Sequence, residues 1–169
     1  MRPVWILLTM MGMLIIQSTV LQVQPFTFIA PNIPFVMLLF VALKRGPLYA
    51  LYIGLCIGLL QDVLYGTYLG MHAFTYATIG YFAGTTFRSY WTRQFMVVVL
   101  IILGYTFLSE LTAYGLSRLF GQGHYDLTSA MLQGVRMMIW NGIFALLLYS
   151  PSVRLLDDER RSGRTEESI

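Results

Sequence analysis

Apolar residues run through this chain in long blocks, and proline, glycine or charged residues interrupt them at spacings that suit membrane-crossing helices. With those interruptions as boundaries, the pattern predicts helices at 3–23, 33–44, 47–66, 70–88, 94–119 and 130–150. A span needs about 20 apolar residues to match a hydrocarbon core about 30 Å thick. The expected architecture is therefore an all-α integral membrane protein, a compact bundle of six transmembrane helices over residues 1–150 followed by a polar tail at 151–169. The second block departs from the rule. Ile33 to Leu43 is 11 residues, about 17 Å of helix, too short to cross alone. Asn32 suits a helix cap and Pro34 the first turn, where its missing N–H is harmless. Two placements stay open for the stretch before it. It either packs against other helices near the outer face, or lies in the outer headgroup layer with Phe26 and Phe28 as anchors.

The third block carries the most informative spacing. Gly54, Gly58, Asp62, Gly66 and Gly70 stand four residues apart, which is one face of a helix. Glycines at this interval let a second backbone come close in a bilayer, whereas an acid at mid-membrane costs about 2.5–3.5 kcal/mol. Asp62 therefore needs a structural or functional reason to be there. Pro31, Asn32 and the Gly80 and Gly84 pair on the fourth block complete the set of residues expected to form a partner or packing face.

Composition agrees with the pattern. The chain is 57% hydrophobic and 11% charged with a mean hydropathy of +0.66, against about 45–50% apolar and about 25% charged in soluble domains. Its net charge of +3 does not indicate nucleic acid, because the basic residues sit singly or in pairs at the ends of apolar blocks. Arg2, Lys44, Arg45, Arg88, Arg93, Arg154, Arg160, Arg161 and Arg164 fall on one predicted side, against Arg118 near the other. The positive-inside rule then makes both termini cytoplasmic. The first block lacks a cleavage pattern before Gln22 and reads as a retained helix, and the mixed-charge tail after Asp157 reads as disordered. Cys56 is the single cysteine, which excludes an intrachain disulfide and a cysteine-based zinc site.

Depth along the helices singles out a few polar side chains. At 1.5 Å per residue, Asp62, Glu110, Arg136, Gln17 and Gln133 all fall in the outer third of the bilayer. Asp62, Glu110 and Arg136 are expected to form a buried polar cluster in which the arginine pairs with one or both acids. The alternative is that each side chain snorkels separately to the outer interface. His72 and His124 stand far apart, and no metal, phosphate-loop or nucleophile-elbow motif occurs, so neither catalysis nor a cofactor is expected. Two carboxylates in a pocket have acid–base potential, but the glycine context argues for packing. Trp5, Trp91 and Tyr149 suit interface anchors, and Met10, Met11, Met137 and Met138 suit lipid contact or core filling.

Taken together, Pro31-Asn32 before a short second span, the Gly58 to Gly70 segment and Asn141-Gly142-Ile143 in the last span resemble the MreD family of rod shape-determining proteins over about residues 3–150. The resemblance implies a non-enzymatic inner-membrane scaffold of the bacterial elongation machinery. Such a subunit would act with an MreC-like single-span protein, with MreB, and with RodA and its transpeptidase to support lateral peptidoglycan synthesis and rod cell shape; self-association also fits this reading. The layout is also similar to the substrate-binding subunits of energy-coupling-factor transporters. The rival reading is thus a small-molecule or lipid-linked-precursor binding subunit of a membrane transporter, with its site around Asp62. Glycine faces beyond those needed for internal packing would favour a groove for a partner's helix, and a polar cavity would favour the transporter.

Overall fold

The structure, a computed structural model, describes residues 3–20, 31–66, 68–87, 95–121 and 126–157. These form six helices: α1 (Pro3–Val20), α2 (Ile33–Arg45), α3 (Pro47–Tyr65), α4 (Met71–Phe87), α5 (Phe95–Leu119) and α6 (Leu127–Asp157). Three contain stretches long and apolar enough to cross a membrane, namely Pro47–Leu64, Phe95–Leu119 and Leu127–Ser150. Phe26, Phe28, Arg2, Arg88, Trp91, Arg93, His124 and the tail from Asp158 lie outside the described residues, as does the side chain of Trp5. The last helix differs from expectation at both ends, starting at Leu127 rather than at 130 and continuing through Pro151 to Asp157. A proline inside a helix removes one amide donor and crowds the carbonyl four residues before it.

The short second helix is the core of the bundle. Every residue from Ile33 to Leu43 is buried, as expected for a helix that is apolar on all sides. Helices α1, α3, α4 and α6 pack around it, and α5 closes the bundle against α4 and α6. Asn32 caps α2 by accepting the Phe35 amide at 3.3 Å, with Pro34 in the first turn. At its other end Gly46 takes φ 100°, a left-handed conformation that turns the chain directly into α3.

Helices α3 and α4 form an antiparallel hairpin with their backbones in contact. A Cβ placed on Gly54 would lie 2.7 Å from the Tyr76 carbonyl oxygen, and one on Gly58 would lie 2.5 Å from the Ala73 Cα. From the other helix, Gly84 would meet the Pro47 Cα at 2.7 Å and Gly80 the Ala50 carbonyl oxygen at 3.1 Å. These four glycines and the enclosed α2 are internal, so they do not form a groove for a partner's helix. Gly66 and Gly70 do not continue the stripe either, because α3 stops at Tyr65. Gly66 closes α3 through its amide to the Asp62 carbonyl at 2.9 Å, and Gly70 is a turn residue with φ 100°.

The outside of the bundle is apolar. Leu55, Leu59 and Val63 on α3, Leu100 on α5, and Leu132, Val135, Ile139 and Leu147 on α6 are all exposed, while Asp62, Thr106 and Asn141 are buried. Apolar side chains turned outward over polar groups turned inward suit a hydrocarbon solvent, in which buried polar groups must find protein partners.

Candidate functional site

The first turn of α2 is a junction where all six helices are joined by polar contacts. The Asn32 amide donates to Asn141 Oδ1 of α6 at 2.7 Å, and Asn141 Nδ2 donates to Thr106 Oγ1 of α5 at 3.3 Å. The Ile33 amide donates to Gln17 Oε1 of α1 at 3.0 Å. Asn32 Nδ2 donates to the Tyr76 hydroxyl of α4, which in turn donates to Gln61 Oε1 of α3 at 2.8 Å. Helix N-termini leave several amides without intrahelical partners. Here three other helices or their side chains supply acceptors to the start of α2, and the same groups link onward to the remaining helices.

Asp62 has a separate role beside this junction. Its Oδ2 accepts the Gly70 amide at 2.9 Å and the Ala73 amide at 3.0 Å; its Oδ1 accepts the His72 amide at 2.9 Å. The His72 ring completes the set, with Nδ1–H donating to Oδ1 at 2.8 Å. A fully buried carboxylate from the end of α3 thus caps the start of α4, where both the orphan amides and the helix dipole favour negative charge. With four donors on two oxygens, nothing is left over for a distant arginine.

The expected cluster of Asp62, Glu110 and Arg136 is therefore not formed. Arg136 is exposed on α6, and no ion pair joins it to either acid. Arg118, also exposed, donates from Nε to the Tyr114 hydroxyl at 3.1 Å. Glu110 instead lines a cavity of about 290 Å³ together with Gln17, Gln61, Gln133, His72 and Tyr114. Pro31, Asn32, Tyr68, Thr75, Tyr76, Ser109 and Ser117 contribute further wall. Gly134 admits this packing, since a Cβ there would lie 3.1 Å from the Phe107 ring and 3.5 Å from the Glu110 Cβ. Among the described residues no group of histidine, cysteine or acidic side chains is arranged to hold a metal.

Sequence reasoning missed Gln61, Tyr76, Thr106 and the role of Asn141. The signal was present, because each is a hydrogen-bonding side chain inside an apolar block, and the cost that singled out Asp62 applies to them in weaker form.

A family model described as rod shape-determining protein MreD matches residues 2–158 of the 169-residue chain. No curated protein and no solved structure gave a match. The matched family is one of shape-determining structural proteins and not a known enzyme family. A bundle with membrane-compatible helices, joined internally by its polar residues and matched over nearly its whole length, belongs to the MreD family of rod shape-determining proteins.

Proposed function

We propose that this chain is a non-enzymatic scaffold subunit of the bacterial elongation machinery that binds an MreC-like single-span protein and supports lateral peptidoglycan synthesis. The family match over residues 2–158 carries this reading. The internal chemistry supports it: the buried polar groups Asp62, Thr106 and Asn141 are all committed to joining helices. In this reading all six helices cross the inner membrane, α2 does so only as the enclosed centre of the bundle, and both termini are cytoplasmic. The lysine and arginine asymmetry supports that orientation, which sets the polar junction toward the outer face. Since the α3–α4 glycines are internal, the partner's helix would meet the exposed apolar sides of the bundle.

Co-purification of the tagged chain from its own host in mild detergent, with mass spectrometry of the bound proteins, tests the proposal. Recovery of an MreC-like protein in stoichiometric amount is expected. Recovery of a transporter ATPase in its place would overturn it.

A further inference from the structure

The two acids that face the inside of this bundle, buried Asp62 and half-buried Glu110, end differently. Asp62 is saturated by four donors, whereas Glu110 faces the cavity and makes no hydrogen bond or ion pair with another described residue. An acid in that position is costly unless something satisfies it. Several other polar groups of the lining are already engaged. The Ser109 hydroxyl donates to the Thr106 carbonyl at 2.7 Å and the Ser117 hydroxyl to the Tyr114 carbonyl at 2.8 Å, so each retains only lone pairs to offer. His72 uses Nδ1 on Asp62 Oδ1. Opposite in character, Gln17 and Gln61 have their oxygens occupied by the Ile33 amide and the Tyr76 hydroxyl, and they retain amide N–H groups to donate. No lysine or arginine lines the cavity among the described residues; the Tyr68 and Tyr114 rings do, the first stacked on Phe120 and the second carrying the Arg118 guanidinium 5.5 Å from its centroid.

From this arrangement we propose that the cavity binds a small primary amine that also carries an oxygen acceptor. Its ammonium lies against Glu110 among acceptor oxygens, where a charge-assisted hydrogen bond holds it. Its oxygen end meets the amides of Gln17 and Gln61. A cavity of about 290 Å³ holds a compact molecule or the headgroup of an amine-bearing lipid, and both present the same chemistry.

The test uses the full chain in nanodiscs of phosphatidylglycerol, with binding read as thermal stabilisation over a concentration series. Tyramine is the probe, tyrosol its isostere lacking the positive charge, and phenethylamine the analogue lacking the oxygen. Tyramine is expected to bind at least about tenfold more tightly than tyrosol and severalfold more tightly than phenethylamine. Glu110→Gln is expected to abolish the preference over tyrosol, with circular dichroism reporting that the variant folds. The comparison of probes on the unaltered protein stands without the variant. Equal binding of tyramine and tyrosol, or no stabilisation by any of the three, would overturn the proposal. Nanodiscs with added phosphatidylethanolamine separate the two sources. Competition against tyramine identifies a lipid headgroup as the occupant, and undiminished tyramine binding identifies a soluble amine.

Discussion

The Asp62 carboxylate accepts the Ala73 amide at 3.0 Å, and Ala73 is also the residue whose Cα would lie 2.5 Å from a Cβ on Gly58. One point on α4 is thus fixed to α3 both by a charge-assisted hydrogen bond and by backbone contact. The acid and the glycine one turn before it serve the same joint, and this explains why they share a face.

Replacing Asp62 by Asn keeps the shape but leaves one acceptor oxygen and places an N–H₂ against amide donors. Two of the four donors lose their partner, and a loss of about 2–4 kcal/mol is expected. Thermal unfolding in detergent would register it as a clear fall in midpoint. The reciprocal exchange, Asp62→Arg with Arg136→Asp, should give no rescue. Recovery of stability in the double variant would restore the ion pair that the structure excludes.

Glycines of the hairpin should divide sharply from glycines elsewhere. Gly58→Ala and Gly54→Ala drive a methyl into backbone, so the helices must separate, at a cost of about 2 kcal/mol or more. Gly104→Ala, with nothing within 4 Å of the new methyl, should be neutral or stabilising by about 0.5–1 kcal/mol through helix propensity. Parallel thermal unfolding of the three variants tests the contrast; equal effects would mean that the close contact is absent.

Tyr76→Phe and Asn141→Leu each strip a partner from Asn32, and each should cost about 1–3 kcal/mol. Because both act through the same residue, their effects should couple. A double-mutant cycle is expected to depart from additivity by about 0.5–3 kcal/mol, and strict additivity would show that the contacts are independent.

Arg136→Gln should change stability by no more than about 0.5 kcal/mol, as for a surface position without a buried partner. A large loss in the same unfolding assay would contradict the exposed placement.

Features that depend on neighbouring residues in sequence were legible before the structure. The cap at Asn32, the proline in the next turn and the close-packing interval of Gly54 and Gly58 all follow from local geometry. Counting in fours carries the ladder two steps too far, because it assumes a continuous helix and α3 ends before Gly66. The pairing of Asp62 with Arg136 failed for a different reason. Rise per residue gives height along a helix axis, but it does not give the direction around the bundle, and Arg136 points outward. Height was sufficient for Gln17, Glu110 and Gln133, which line one cavity. The partners of Asp62 were hidden because they are mostly backbone amides, which carry no residue-type signal.

The hydrogen bond from Asn32 to Asn141 spans 109 positions of sequence. A ribosome therefore releases α2 long before the acceptor for its first amide exists. Until α6 has been synthesised, the opening turn of the central helix lacks that acceptor, and any partial bundle that buries it carries an unsatisfied donor at a cost of about 1–3 kcal/mol. The polar satisfaction of α2 is thus completed only with the last helix. Polypeptides interrupted before Asn141 would present a polar defect at their centre, which gives membrane quality control a chemical mark by which to remove them.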